Sequence, residues 1–181
     1  PRFWIYIFGP YLIGLVAAVN YKQELLDWRV LVFGLFCTLP ANLLIYGIND
    51  IFDYETDKLN PKKEGYEALV TPERRGCVIT AILITNIPFV AVAATLGVQP
   101  TIAFASFLFY SIFYSGPPIR AKAWPFLDSL FNVLYIMPGI FAFAMLTGEQ
   151  PPNAGFIAGG LWTAAMHAYS AIPDIDADRE A

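Results

Sequence analysis

The chain has 181 residues, of which 57% are hydrophobic and only 14% charged, with a formal charge of −4 and a mean hydropathy of +0.53. Soluble domains carry about 25% charged residues, so this composition excludes an ordinary water-soluble domain and points to an integral membrane protein. The negative charge gives no footing for nucleic acid, and the two cysteines, Cys37 and Cys77, fit neither a metal motif nor a disulfide scaffold; they read as membrane-packed thiols.

Six stretches are apolar enough to be read against the requirement of about 20 residues for a spanning helix. In chain order they are Phe3–Val19, Val30–Ile48, Cys77–Val98, Thr101–Ser115, Pro125–Leu146 and Ala154–Pro173. The fourth is short and can extend to either side of Pro100. None alternates with a period of two, so the reading is a bundle of helices and not a β-barrel. Pro10, Pro40, Pro88 and Pro138 are tolerated where neighbouring groups re-satisfy the backbone. Gly34, Gly47, Gly139, Gly159 and Gly160 allow close helix approach. The fold class expected is an all-α polytopic membrane bundle, with residues 1–181 forming one transmembrane domain.

Charge sets the orientation. Arg2, Lys58, Lys62, Lys63, Arg74, Arg75, Arg120, Lys122 and Arg179 all fall on one side of the six segments; only Lys22 and Arg29 fall on the other. By the positive-inside rule the first side, with the N-terminus, is cytoplasmic. The long charged loop from Asn49 to Arg75 lies there, so function is expected at the cytoplasmic helix ends.

Two acidic runs occupy that side. Asn49, Asp53 and Asp57 are spaced i, i+4, i+8 after the second segment, and Asp174 and Asp178 are spaced i, i+4 after the sixth. On continuing helices each set shares a face. Crowded carboxylates repel and are costly near hydrocarbon. A divalent cation would neutralise them, and carboxylate and amide oxygens suit Mg²⁺, which binds through one or two carboxylates plus phosphate oxygens. Asn49, Asp53, Asp57, Asp174 and Asp178 are therefore the candidate metal ligands, and the four aspartates the candidate catalytic residues. Asp50 and Asp176 are secondary candidates that read equally as solvated loop carboxylates.

Cations for a bound diphosphate stand in the stretch 114–122. Arg120 offers a bidentate fork and Lys122 a point charge, with Tyr114 beside them; topological anchoring explains the same charges more blandly. Asp128 and Asn132, spaced i, i+4 at the start of the fifth segment, either face a cavity or pair locally. His167, alone within the sixth, reads as an interior hydrogen-bond partner. Asn42 and Asn86 are expected to join helices, and Trp4, Tyr6, Trp28 and Trp124 to sit at membrane interfaces.

The pattern Asn49-xxx-Asp53-xxx-Asp57 resembles the first aspartate-rich motif of the UbiA prenyltransferase superfamily, and Asp174-xxx-Asp178 followed by Arg179-Glu180 resembles the second. The resemblance covers essentially the whole chain. It implies an intramembrane, Mg²⁺-dependent enzyme that moves an isoprenyl group from an allylic diphosphate to a lipophilic acceptor, within a nine-helix protein. The chain begins at Pro1 and ends directly after a charged motif, so it reads as a fragment lacking the last three helices. The family's Tyr-xxx-Lys element is broken here, because Pro118 stands four residues after Tyr114; Arg120 or Lys122 would substitute. The opening Pro1-Arg2-Phe3-Trp4-Ile5-Tyr6, the 114–122 stretch and the run 127–132 resemble lycopene elongases, which implies dimethylallyl diphosphate and lycopene as substrates in a prokaryotic plasma membrane. Quinone-ring, haem and chlorin acceptors would use the same acids. An ion transporter is the non-enzyme alternative, against which stands the placement of the acids at helix ends and not mid-span.

Overall fold

The computed structural model describes residues 4–58 and 69–172. Among these residues every regular element is helical. The eight α-helices are α1 (Ile5–Ala18), α2 (Trp28–Thr38), α3 (Pro40–Asp57), α4 (Arg75–Ala93), α5 (Val98–Ser115), α6 (Leu127–Phe131), α7 (Met137–Thr147) and α8 (Asn153–Ala171). All six expected segments are helical, but two of them are broken.

The second expected segment is two helices. Pro40 opens α3, where it has no N–H to give back to the preceding turn, and Leu39 separates α3 from α2. Asn42 takes up the carbonyls this leaves, donating to Thr38 O at 2.7 Å and Cys37 O at 3.1 Å. Asn86 on α4 donates to Pro40 O at 3.2 Å. Both asparagines thus join helices, as their sequence positions suggest.

The fifth expected segment is α6, a 3₁₀ turn at Asn132–Tyr135, and α7, with a bend of 41° between the two halves. Pro138 lies in the first turn of α7 and cannot donate back across the bend. Asn132 donates its side-chain amide to Asp128 O, one turn back on the α6 side, at 2.8 Å. The fourth segment begins earlier than Thr101, at Val98; Pro100 falls in the first turn, whose N–H groups need no intrahelical partner.

Length and composition qualify two described helical runs as candidate spans, Trp28–Glu55 and Pro72–Ala93, and a third if the bent pair Leu127–Tyr135 and Met137–Thr147 counts as one; Ile5–Ala18 is apolar but shorter. Trp4, Tyr6, Trp28 and Trp124 are all exposed.

The core is aromatic. Phe33 and Phe36 on α2 meet Phe104 on α5 and Phe141 on α7, with ring centroids 4.5 Å apart for Phe33–Phe141 and 4.9 Å for Phe36–Phe104. These tilted arrangements are favoured by the ring quadrupoles. α1 packs most extensively on α7, and α5 packs on α7 as well. At the α1–α7 crossing the backbones touch: a Cβ on Gly14 would stand 2.1 Å from Gly139 O, and one on Gly139 would stand 2.7 Å from Pro10 O. Such proximity is available only to glycine.

Gly14→Ala is expected to force α1 off α7 and to cost about 1–3 kcal/mol, the usual price of overpacking. The measurement is thermal unfolding of the purified protein in detergent. Gly155→Ala, a helical site with no atom within 4 Å of the added Cβ, is expected to keep or slightly raise the melting temperature.

Candidate active site

α3 continues without interruption to Asp57, so Asn49, Asp53 and Asp57 do lie along one helix face at successive turns. Asp53 is the deepest, only 5% exposed. A buried carboxylate is unfavourable unless charge and hydrogen bonds compensate it. The loop after α5 supplies that compensation. Lys122 Nζ pairs with Asp53 Oδ2 and reaches Asn49 Oδ1 at 3.3 Å. Arg120 Nη2 lies 3.6 Å from Asp53 Oδ1. Ser115 Oγ donates to Asn49 Oδ1 at 2.8 Å.

The loop's backbone is shaped for this. Arg120 adopts the left-handed conformation, with φ 45°, which is uncommon for a residue with a side chain. Its N–H is held by Gly116 O at 2.9 Å, and the turn Ala121–Ala123 follows at once, bringing Lys122 over α3. Burial pushes the Lys122 ammonium down to about 8, against the opposing pull of the Asp128 and Asp50 carboxylates. Asp50 thus belongs to the electrostatic surroundings of the site.

A second polar cluster adjoins the first. Tyr114 OH donates to Asp128 Oδ1 at 2.8 Å, and His167 Nε2 lies 2.7 Å from Asp128 Oδ2. The Tyr114 and His167 rings meet edge-on, centroids 6.3 Å apart. The Asn132 bond already described goes to the Asp128 backbone carbonyl, and the Asp128 carboxylate is engaged by Tyr114 and His167. His167 is an interior hydrogen-bond partner. Tyr114, expected beside a diphosphate, directs its hydroxyl to Asp128.

Asp174, Asp176 and Asp178 lie outside the described residues, as do Lys62 and Lys63. Among the described residues no three His, Cys, Asp or Glu side chains converge closely enough to hold a metal. The donors present nonetheless suit Mg²⁺ in kind. Asn49 and Asp53 offer hard oxygens, and Asp53 Oδ1 is a buried oxygen without a hydrogen bond. Ser115 was not singled out by sequence; the signal available was its place beside Tyr114, at the level where α5 ends.

The profile of the UbiA prenyltransferase family matches residues 7–181. This chain belongs to the UbiA prenyltransferase family. Its relatives include proteins named lycopene elongase/hydratase. The one from Haloarcula japonica is 40% identical over the whole chain and 61% of its own length. That from Halobacterium salinarum is also 40% identical, over 65% of its length, and that from Corynebacterium glutamicum is 33% identical, over 63%. The chain thus spans less than two thirds of the relatives it matches. A solved UbiA homolog from Archaeoglobus fulgidus, described as bound to GPP and Mg²⁺, superposes with a TM-score of 0.71 at 23% identity, covering 97% of this chain and 62% of that one. The same is described bound to DMAPP and Mg²⁺, with a TM-score of 0.68 at 22% identity. At that identity the likeness establishes the UbiA fold.

Lys122→Met would leave Asp53 buried with only the more distant Arg120. Removing one partner of a buried pair typically costs about 3–5 kcal/mol. A lowered melting temperature is expected with chelator present, and Asp53→Asn in the same chain is expected to restore most of it.

Proposed function

We propose that the protein is an intramembrane prenyltransferase that moves a five-carbon prenyl group from dimethylallyl diphosphate to lycopene, using Mg²⁺, at the cytoplasmic end of a bundle in which this chain supplies six spans. The observation that carries the reading is the buried Asp53 carboxylate faced by Lys122 and Arg120. This is an acid and cation arrangement with no structural need in a lipid-embedded helix end. The names of the relatives and the ligands described for the solved homologs support the substrate classes.

In this reading Asn49, Asp53 and Asp57 hold Mg²⁺ together with Asp174 and Asp178. Mg²⁺ held by these residues would supply positive charge to a diphosphate leaving group. Lys122 and Arg120 pair with Asp53 in the absence of substrate. When the diphosphate is present they engage its oxygens, Arg120 through two N–H groups and Lys122 as a point charge. That electrostatic stabilisation, fixed before the C–O bond breaks, is the main contribution to rate. The apolar interior keeps water from the allylic cation, and ring faces can stabilise it.

Asp53→Ala or Asp174→Ala in the full-length protein is expected to abolish Mg²⁺-dependent product formation while membrane insertion is retained. The assay supplies labelled dimethylallyl diphosphate and lycopene to membranes with and without Mg²⁺, and normal turnover in either variant would remove the metal-site assignment. A pH dependence follows as well. Lys122 is charged below about 8 and neutral above it, so diphosphate affinity is expected to fall as pH rises through that value. Lys122→Arg, which stays charged, is expected to flatten the dependence in a direct binding titration.

A further inference from the structure

Two polar clusters meet at the end of α5. Ser115 serves the acidic face of α3 through Asn49, while its chain neighbour Tyr114 serves Asp128. Lys122, paired with Asp53, is also close enough to Asp128 for the two charges to interact. The Asp128–His167 pair therefore lies next to the proposed diphosphate site and not in a separate region of the bundle.

Its internal geometry is directional. Asp128 Oδ1 accepts from Tyr114, and Oδ2 lies 2.7 Å from His167 Nε2. An ionised carboxylate can only accept, so in the neutral ring the proton sits on Nε2 and Nδ1 carries the lone pair. No hydrogen bond to Nδ1 is made among the described residues. Both side chains remain partly accessible, 21% for His167 and 29% for Asp128. A carboxylate that fixes tautomer and ring orientation, with the other nitrogen open, is the arrangement of a general base.

Given the prenyl transfer proposed above, on which this inference rests, we propose that His167 Nδ1 is the acceptor of the proton released at the end of the reaction, and that Asp128 is its positioning residue. As the C–O bond to diphosphate breaks, the electron pair of the acceptor's terminal double bond forms the new C–C bond. This leaves a tertiary cation on the acceptor. That cation is discharged in one of two ways. A neighbouring C–H pair becomes a double bond, or water forms a C–O bond and gives up a proton. In both cases the proton passes to Nδ1, and the imidazolium is stabilised by the Asp128 carboxylate before it releases the proton to solvent.

The test uses membranes carrying the full-length protein, labelled dimethylallyl diphosphate, lycopene and Mg²⁺, and measures prenylated carotenoid and released diphosphate separately. His167→Gln is expected to reduce the carbon–carbon product about a hundredfold, in the range usual for loss of a general base. Diphosphate release should fall less, with the excess appearing as the free prenyl alcohol. His167→Ala is expected to regain product when imidazole is added, which a purely structural histidine would not do. Asp128→Asn is expected to show the same uncoupling. If product and diphosphate fall in parallel in His167→Gln and imidazole restores nothing, the proton-acceptor role is overturned while the prenyl transfer stands. A wild-type protein that releases no Mg²⁺-dependent diphosphate overturns both.

Discussion

A carboxylate that is 5% exposed at the end of an apolar bundle has to be neutralised. Much of the local architecture follows from that need at Asp53. The helix that carries it runs unbroken to Asp57, which keeps the acids on one face. The chain after α5 must then fold back across that face to bring cations to it. It does so with Arg120 in a left-handed conformation and with Lys122 on the tight turn that follows. The two cations thus compensate the buried acid from a single short loop.

Much of this was legible in the sequence because its strongest signals are chemical and periodic. The i, i+4, i+8 spacing of Asn49, Asp53 and Asp57 placed them on one helix face, and α3 carries them there. The long apolar runs gave the helices. The positions of Arg120 and Lys122, on a short loop at the level where the acids emerge, marked them as cations for a bound diphosphate or as topological anchors; their pairing with Asp53 is seen only in the fold. The helix breaks were harder to place. Pro40 and Pro138 were visible, but a proline is compatible with either a kink or a full interruption, and at the first break the outcome depends on the Asn42 side chain taking up the carbonyls of Cys37 and Thr38. The meeting of Tyr114, Asp128 and His167 was not legible at all as a cluster. The three residues come from α5, α6 and α8, and only the packing of those helices unites them. The second acidic run lies beyond the described residues, so its relation to the first remains a reading of the sequence.

The bend between α6 and α7 links fold to chemistry. A straight helix through the 127–147 region would carry Asp128 along the axis set by α7. With a 41° break, α6 leans toward α8, and Asp128 can meet both Tyr114 and His167. Local loss of helical regularity is thereby exchanged for a satisfied polar cluster in an apolar setting, where an unsatisfied one would be costly.

The contact between Gly14 and Gly139 has a consequence for biosynthesis. The two residues are 139 − 14 = 125 positions apart, and at a synthesis rate of about 5–20 residues per second α1 waits roughly 6–25 s before the helix that receives its glycine face is made. Throughout that interval the smooth backbone surface of α1 is open to lipid or to other nascent helices. The order in which helices leave the ribosome therefore differs from the order in which they lock together, and the bundle closes on its first helix late.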